Sequence, residues 1–385
     1  LSHQNQKRSL ELFKYDLTNN KETNNTQYQD QAMEVIYSTG TFSNLLNNLK
    51  YNVQFGYEVV NNYGFAVVDD ASNTKKDVNK AINNYDFFLT TDFNLSERLS
   101  LRPGFRYSIQ NNFNNQTAYS LGGRYLFGSG FEVRSAIGKS YRTPDFYELY
   151  SQTIFDGHYF VGNENLNPEQ STSFEASIKK TTSFKNNVML SNHLMISRSN
   201  IKDRITSALV GYEGATPKYE YINISAYNNV NLSTTHQFKW NNMEANLGVS
   251  LVWFSQDINN MSFSSATDYL FNGSFNANVS YTIPKTETTF STYYKYIGKA
   301  TQWVAGADEY VLSYVNSYSW LDASVRQKFF NDKVEATVGA RNILHVSDVN
   351  QSRINEGSGH FVSPQLMLAY GRSYFFKLVY NLNFN

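Results

Sequence analysis

Apolar and polar residues alternate along most of the chain with a period of two. Between Tyr85 and Leu95 the odd positions are mostly apolar, whereas the even positions include Asp86 and Asp92. The same alternation recurs at 99–109, 131–141, 172–180 and 334–343. Because successive side chains of a β-strand point to opposite faces, each segment predicts a strand with one apolar and one polar face. No segment has the periodicity of an amphipathic helix.

Short and long connections alternate between these predicted strands. Short turns are predicted at 96–98, 128–130, 184–187, 241–242, 284–286 and 330–332. Long polar connections are predicted at 61–84, 142–170, 199–218, 256–266, 298–315 and 346–371. The pattern gives about sixteen strands, and this alternation is typical of transmembrane barrels, which have short turns at one end and long loops at the other. The sequence therefore predicts an all-β fold, a transmembrane antiparallel up-and-down β-barrel.

Composition supports a barrel once the alternation is known. The chain has 385 residues and a mean hydropathy of −0.49, yet it contains 29 Tyr and 28 Phe. A barrel strand needs an apolar residue only at about every second position, and aromatic girdles at the two membrane interfaces account for many Tyr and Phe. No apolar run approaches the ~18 residues that a membrane-spanning helix needs. A soluble β-sandwich or propeller is the alternative.

Charge and residue types exclude several functions. The 33 basic and 33 acidic residues balance, which gives no electrostatic footprint for nucleic acid. Without cysteine there is no disulfide and no thiolate metal site. The Ser, Asp and His residues form no recognisable catalytic constellation, so we expect no enzyme activity, no catalytic residues and no bound metal or cofactor.

The last segment predicts a closing strand. Residues 374–384 alternate cleanly, with Phe376, Leu378, Tyr380 and Phe384 on one face. A final strand with an aromatic residue near its end resembles the signal that directs outer-membrane barrels to their assembly machinery. Left unpaired, such a strand would promote aggregation.

Two sequence boxes flank the long connection in the middle of the chain. The first, Gly138–Tyr150, reads GKSYRTPDFYELY, and the second, Gly162–Glu175, reads GNENLNPEQSTSFE. Together they resemble TonB-dependent outer-membrane receptors, which carry YRxP…xELY followed by GNxxLxPExSxxxE. The stretch 338–344 is similar to a late strand of that family, so the resemblance extends from about Gly138 to Asn385. The residues that carry the two boxes are Tyr141, Arg142, Pro144, Asn163, Leu166, Pro168 and Glu169.

The boxes also have a purely structural interpretation. Pro144 restricts the preceding residue to an extended conformation and ends the strand there. Gly162-Asn163 predicts a turn, and Pro168 interrupts regular pairing. Arg142 could form ion pairs with Glu169 and Glu175. In this interpretation the boxes build the barrel wall and its loop base and do not contact a ligand.

The resemblance implies a function and a location. Such receptors lie in the outer membrane of Gram-negative bacteria and take up scarce nutrients with energy from the TonB–ExbB–ExbD complex. The partners it implies are outer-membrane lipid, that complex and, as a further candidate, a surface lipoprotein, but no nucleic acid. The family's barrel has about 22 strands and follows a plug domain. We therefore expect residues 1–385 to be the C-terminal part of a barrel, without the plug and the first strands. A complete sixteen-stranded passive porin is the alternative.

The family's usual cargo is an iron complex, which here means haem or a siderophore; cobalamin and glycans are alternatives. His158 lies between the two boxes, a layout similar to that of haem receptors, and imidazole can ligate haem iron. Tyr159 and His360 are the other candidate ligand contacts. A histidine in a long polar loop can equally be a solvated residue without a ligand.

Overall fold

The computed structural model describes residues 1–46, 50–69, 75–155, 158–214, 216–257, 268–305, 310–330, 332–352 and 364–381. The strands are β1 (Ser2–Asp16), β2 (Lys21–Phe42), β3 (Tyr51–Asp69), β4 (Lys75–Asn94), β5 (Leu99–Gln110), β6 (Gln116–Leu126), β7 (Phe131–Arg142), β8 (Gln152–Phe155), β9 (His158–Val161), β10 (Glu169–Phe184) and β11 (Val188–Glu213). They continue with β12 (Thr216–Trp240), β13 (Met243–Asp257), β14 (Leu270–Ile283), β15 (Thr288–Ile297), β16 (Ala300–Ala305), β17 (Tyr310–Val315), β18 (Tyr318–Phe329), β19 (Val334–Arg341), β20 (Asp348–Asn350), β21 (Gln365–Met367) and β22 (Ser373–Tyr380). The helices are α1 (Phe146–Tyr150) and a 3₁₀ turn, Lys185–Asn187.

The main sheet is an antiparallel meander. It has eighteen strands, of which β8 and β9 form a hairpin within a connection, and this leaves sixteen wall strands. Each wall strand pairs with the next wall strand along the chain, from β1 to β22. The predicted fold class and the expected strand number are confirmed. In the part of the chain that the structure describes, β1 pairs only with β2, and β22 pairs only with β19.

The six predicted short turns all lie at one end of the sheet, the turn end. Residues there adopt left-handed backbone conformations, as at Gly130, Asn187 and Asn241. The opposite end, the loop end, carries the connections 143–168 and 298–317, in which additional hairpins form.

Two predicted long connections are mostly continuations of the wall strands, so those predictions are wrong. Strands β3 and β4 pair as far as Asp69 and Lys75, through most of 61–84. Strands β11 and β12 pair up to Glu213 and Thr216, through most of 199–218. Beyond the membrane both faces of a strand meet water, so its residues can be polar throughout without losing the backbone ladder.

The wall has an apolar and a polar face, and paired residues on neighbouring strands share a face. The apolar face includes two rows, Leu89–Phe105–Tyr119 and Leu121–Ile137–Phe174, all of them exposed. The polar face includes Glu58, Asp86 and Arg106, which form ion pairs. In a barrel of this kind the apolar face contacts lipid and the polar face lines the interior.

The described part of the closing strand ends at Tyr380. Phe376, Leu378 and Tyr380 are exposed on one face of β22, as the alternation predicts. Residues 382–385, including Phe384, lie outside the described residues. Among the residues that are described, no helix is long and apolar enough to cross a membrane.

Candidate functional site at the loop end

The first box ends β7 and begins the short helix α1. Pro144 is fully buried directly after the strand. Asp145 then caps the helix: its Oδ1 accepts from the Glu148 amide at 2.9 Å, and Glu148 Oε2 accepts from the Asp145 amide at 2.9 Å. This reciprocal capping box satisfies two amides that a helix start would leave unpaired. A five-residue helix is too short to show a periodic pattern, which is why the alternation did not reveal it.

Helix α1 packs against the wall through one buried ring. Phe146 is 2 % exposed, and a Cβ added to Gly64 on β3 would lie 2.1 Å from the ring. Glycine at position 64 is therefore what allows this ring to lie flat on the strand. Around the ring is a hydrophobic cluster, which we call the loop-end core; its buried members are Ala66, Ile82, Phe146, Leu149, Leu166 and Ile205. The core connects β3 and β4 with β11 through the 143–168 connection.

Arg142 joins four elements at the base of this connection. Its Nη1 donates to Glu148 Oε1 and Oε2 at 3.0 and 2.9 Å, and its Nη2 donates to Glu169 Oε1 at 2.6 Å. The same Glu169 oxygen accepts from the Ile205 amide at 2.9 Å. The expected pairing of Arg142 with Glu169 is present. Glu175, expected in the same group, lies further along β10, is exposed, and is absent from the ion pairs of the described residues.

The second box packs directly on α1. The Gly162 amide donates to Ser151 O at 2.6 Å, and the Asn163 amide donates to Glu148 O at 2.8 Å. A Cβ at Gly162 would lie 2.6 Å from the Leu149 carbonyl carbon, so the close approach requires glycine. Asn163 Nδ2 also donates to Tyr221 O on β12 at 2.9 Å.

The rest of the box leads back into the wall. Leu166 enters the loop-end core, and Pro168 is half-buried where β10 begins at Glu169.

Tyr141 belongs to a polar network of the interior. Its hydroxyl donates to Asp86 Oδ1 at 3.1 Å, and Asp86 is 5 % exposed. Arg106 Nη1 lies 3.7 Å from Asp86 Oδ2 and 3.5 Å from Glu58 Oε1. A cavity of about 550 Å³ is lined by Asp86, Arg106, Tyr141 and Arg142 among others. Side chains of the first box therefore reach both the interior cavity and the loop-end core.

The hairpin β8–β9 carries two of the three candidate ligand contacts, His158 and Tyr159, beside β12. Strand β9 pairs in parallel with β12, so that Tyr159 is opposite Lys218. The Tyr159 hydroxyl accepts from Gln152 Nε2, and Lys218 Nζ lies 5.8 Å from the centre of its ring. Phe160 stacks on Tyr219 with ring centres 5.2 Å apart. The backbone of His158 begins β9, but its side chain and the whole of His360 lie outside the described residues.

The loop-end core also changes the acidity of an aromatic side chain. Burial, with a smaller contribution from the charge of Glu164, raises the pKa of Tyr150 above its ordinary value. Lys80 Nζ lies 5.8 Å from the centre of the Tyr150 ring. Tyr150 is therefore a neutral, partly buried side chain that packs against this core. No cluster of metal-ligating side chains was found among the described residues.

Some important residues escaped the sequence analysis. The spacing of Asp145 and Glu148 is that of a capping box and could have been recognised. Asn342 lies in the stretch 338–344 that is similar to a late strand of the family, but its role was not predicted; it is 1 % exposed and has a φ of 52°. Its side chain donates to Val346 O at 2.8 Å and accepts from the Val346 amide at 2.9 Å, which shapes the start of the last long connection.

Comparisons with known proteins agree with this architecture. The family model described as "TonB dependent receptor-like, beta-barrel" matches residues 2–343. No curated protein sequence matches the chain.

Solved structures give a similar result at low identity. The siderophore receptor PirA from Acinetobacter baumannii has a TM-score of 0.73 and 14 % identity, covering 98 % of this chain and 59 % of that protein. The ferric enterobactin receptor PfeA from Pseudomonas aeruginosa has a TM-score of 0.69 and 15 % identity, covering 98 % of this chain and 58 % of that protein. The FrpB iron transporter from Neisseria meningitidis has a TM-score of 0.67 and 11 % identity, covering 96 % of this chain and 58 % of that protein. The chain thus spans less than two thirds of the length of each of these neighbours. At this low identity the similarity supports the barrel fold alone. The family expected from the two boxes is confirmed: the chain belongs to the TonB-dependent receptors, as a β-barrel of the bacterial outer membrane.

Proposed function

We propose that this chain forms the barrel wall of a receptor that takes up a scarce iron complex across the outer membrane. The observation that carries the proposal is the packing of the 143–168 connection onto the loop-end core, above a polar interior, in a chain of this family. Neighbouring structures named as siderophore receptors or as an iron transporter support iron as the cargo. The chain belongs to a family of receptors that transport their cargo, so the wall would guide the cargo without bond chemistry.

The cargo we propose is haem or a ferric siderophore, bound at the loop end. Support comes from Tyr159, which parallel pairing with β12 holds beside Lys218. An aromatic ring next to a cation suits a planar, anionic iron complex, because the ring offers a stacking surface and the ammonium offers charge. We assign His158 and His360 as further contacts on the strength of their positions in the sequence.

Energy for uptake would come from the TonB–ExbB–ExbD complex, acting on a plug domain inside the barrel. This follows from membership of the family. We propose that residues 1–385 all belong to the barrel wall and its loops, and that a surface lipoprotein is a further candidate partner at the loop end.

Two other functions can be distinguished from the uptake of an iron complex. Uptake of cobalamin or a glycan would use the same wall with different loop contacts. A complete sixteen-stranded passive porin would need β1 to pair with β22, and this pairing is absent among the described residues. The family match also favours a receptor over a porin.

The experiment uses the full-length receptor in a Gram-negative host that lacks its own iron receptors. We expect growth on haem or a ferric siderophore as sole iron source, and loss of that growth when tonB is deleted. For haem, titration of the purified receptor should give a Soret shift that His158→Ala abolishes. The control His193→Ala, in wall strand β11, should leave the shift unchanged. Two results would contradict the proposal: uptake of cobalamin but of no iron complex, or uptake that does not depend on TonB.

A further inference from the structure

One row of paired residues on the apolar face is polar. Lys180 on β10 pairs with Asn192 on β11, and Asn192 pairs with His236 on β12. His236 Nδ1 lies 2.6 Å from Asn192 Oδ1, and His236 Nε2 lies 3.0 Å from Thr234 Oγ1. We call Lys180, Asn192, Thr234 and His236 the outer polar cluster.

The surroundings of this cluster are apolar. Toward the loop end, the next row contains Ile178 and Leu194, which are 39 % and 46 % exposed on the lipid-facing side. Toward the turn end, the next row contains Leu190 paired with Phe238. Polar and charged groups on the lipid face of a barrel are costly near the middle of the bilayer and much less so near the interfaces. Such a cluster is therefore accommodated most readily near an interface, where polar lipid headgroups lie within reach.

The depth of the cluster places it near the membrane interface at the turn end. Strand β10 ends at Phe184, and Lys180 precedes that end by roughly 13 Å of extended strand. With the tilt of barrel strands, this corresponds to a height of roughly 10 Å above the turns. A lysine at this depth can extend its ammonium group toward the headgroups.

No carboxylate of the described residues neutralises the charge of the cluster. Lys180 Nζ lies 4.3 Å from the centre of the Phe131 ring, and Lys180 takes part in none of the ion pairs found among the described residues. The nearby carboxylates of Glu132 and Glu244 lie on the polar face, where they bind Arg134 and Lys239. The cluster thus offers a cation and polar donors to the lipid side without a competing carboxylate in the described wall.

We propose that the outer polar cluster binds the phosphate of an anionic phospholipid in the leaflet at the turn end. The hydrogen bond from His236 to Asn192 Oδ1 fixes the amide, so that its Nδ2 group donates outward. The Lys180 ammonium and Asn192 Nδ2 then both donate to phosphate oxygens. A second copy of the chain is a poorer occupant, because an isologous contact centred on the cluster would bring two Lys180 side chains together.

The test uses the purified full-length receptor and dioleoylphosphatidylglycerol, with bound lipid counted by native mass spectrometry. We expect Lys180→Gln to weaken binding about tenfold, since it removes a charge-assisted hydrogen bond. Asn192→Leu should weaken it to a similar degree, and Lys180→Arg should retain it. Lys179→Gln is the matched control: it makes the same charge change on the polar face and should bind like the wild type.

Several outcomes would overturn the proposal. One is equal lipid binding by Lys180→Gln and the wild type in samples whose heat-modifiable electrophoretic mobility shows a folded barrel. Another is an equal loss in Lys179→Gln, which would indicate a nonspecific charge effect. A third is a wild-type dimer that Lys180→Gln dissociates, which would make this row a contact between copies of the chain.

Discussion

Replacing Phe146 with alanine should release the 143–168 connection from the wall while leaving the wall intact. Phe146 is almost fully buried, and its ring covers Gly64 and contacts the loop-end core. Loss of a buried phenylalanine side chain costs about 3–5 kcal/mol, because a cavity remains where the ring was. Here the cost falls on the docked state of the connection, since the strands keep their own ladders.

Hydrogen exchange measures this effect directly. The amides of Gly162 and Asn163 donate to Ser151 O and Glu148 O only while the two boxes are packed together. A loss of about 3 kcal/mol corresponds to a more than hundredfold rise in the open population, so these amides should exchange at least about a hundredfold faster. Peptides from β5 and β13 should exchange as in the wild type.

A matched control is available at the other end of the wall. Phe127, at the turn end, is about half exposed, and Phe127→Ala should leave the exchange of Gly162 and Asn163 unchanged. The reasoning would be refuted if Phe146→Ala altered these amides by less than about threefold, because the ring would then not hold the connection.

Three further changes test neighbouring contacts. Gly64→Val should displace the Phe146 ring and reproduce the fast exchange of Phe146→Ala. Gly122→Val on β6, where an added Cβ would make only ordinary van der Waals contacts with Arg102, should not; normal exchange in Gly64→Val would disprove the close approach. Arg142→Gln should destabilise the docked connection by only about 1 kcal/mol, since the Arg142 side chain is 43 % exposed and solvent screens its ion pairs. Limited proteolysis between β7 and β10 should be faster, and an unchanged rate would show that the ion pairs contribute nothing. Asn342→Ala should lower the free energy of unfolding by about 2 kcal/mol, because it removes two hydrogen bonds and puts alanine in a left-handed conformation. In thermal unfolding, Asn342→Gly should show a smaller loss of stability than Asn342→Ala, and an equal loss would show that the backbone conformation is irrelevant.

The wall was predictable because its pattern is local. Alternation over 85–109 reads directly as β4 and β5, and turn residues such as Asn241 mark the turn end. The same rule failed at 199–218, where β11 and β12 leave the bilayer and no lipid enforces an apolar face. Period alone therefore identifies the strand segments that cross the membrane better than those above it.

The candidate site was predictable only in part. The pairing of Arg142 with Glu169 could be expected because both residues flank one connection. The packing of Phe146 on Gly64 could not, since the two residues are far apart in sequence and a glycine in a strand has several possible explanations. Long-range complementarity of this kind depends on the folded wall, which brings β3 next to the 143–168 connection.

The lengths of β11 and β12 determine the electrostatic surroundings of an approaching cargo. These strands have 26 and 25 residues, which is roughly 85 Å of extended chain and roughly 60 Å of height at the usual tilt. A bilayer with its headgroups occupies about 40–45 Å, so the tip of this hairpin stands roughly 15–20 Å beyond them. That distance is about two Debye lengths at physiological salt. Charges near the tip, such as Lys218, therefore act on a cargo independently of the anionic membrane surface, and the loops alone determine which ions gather there.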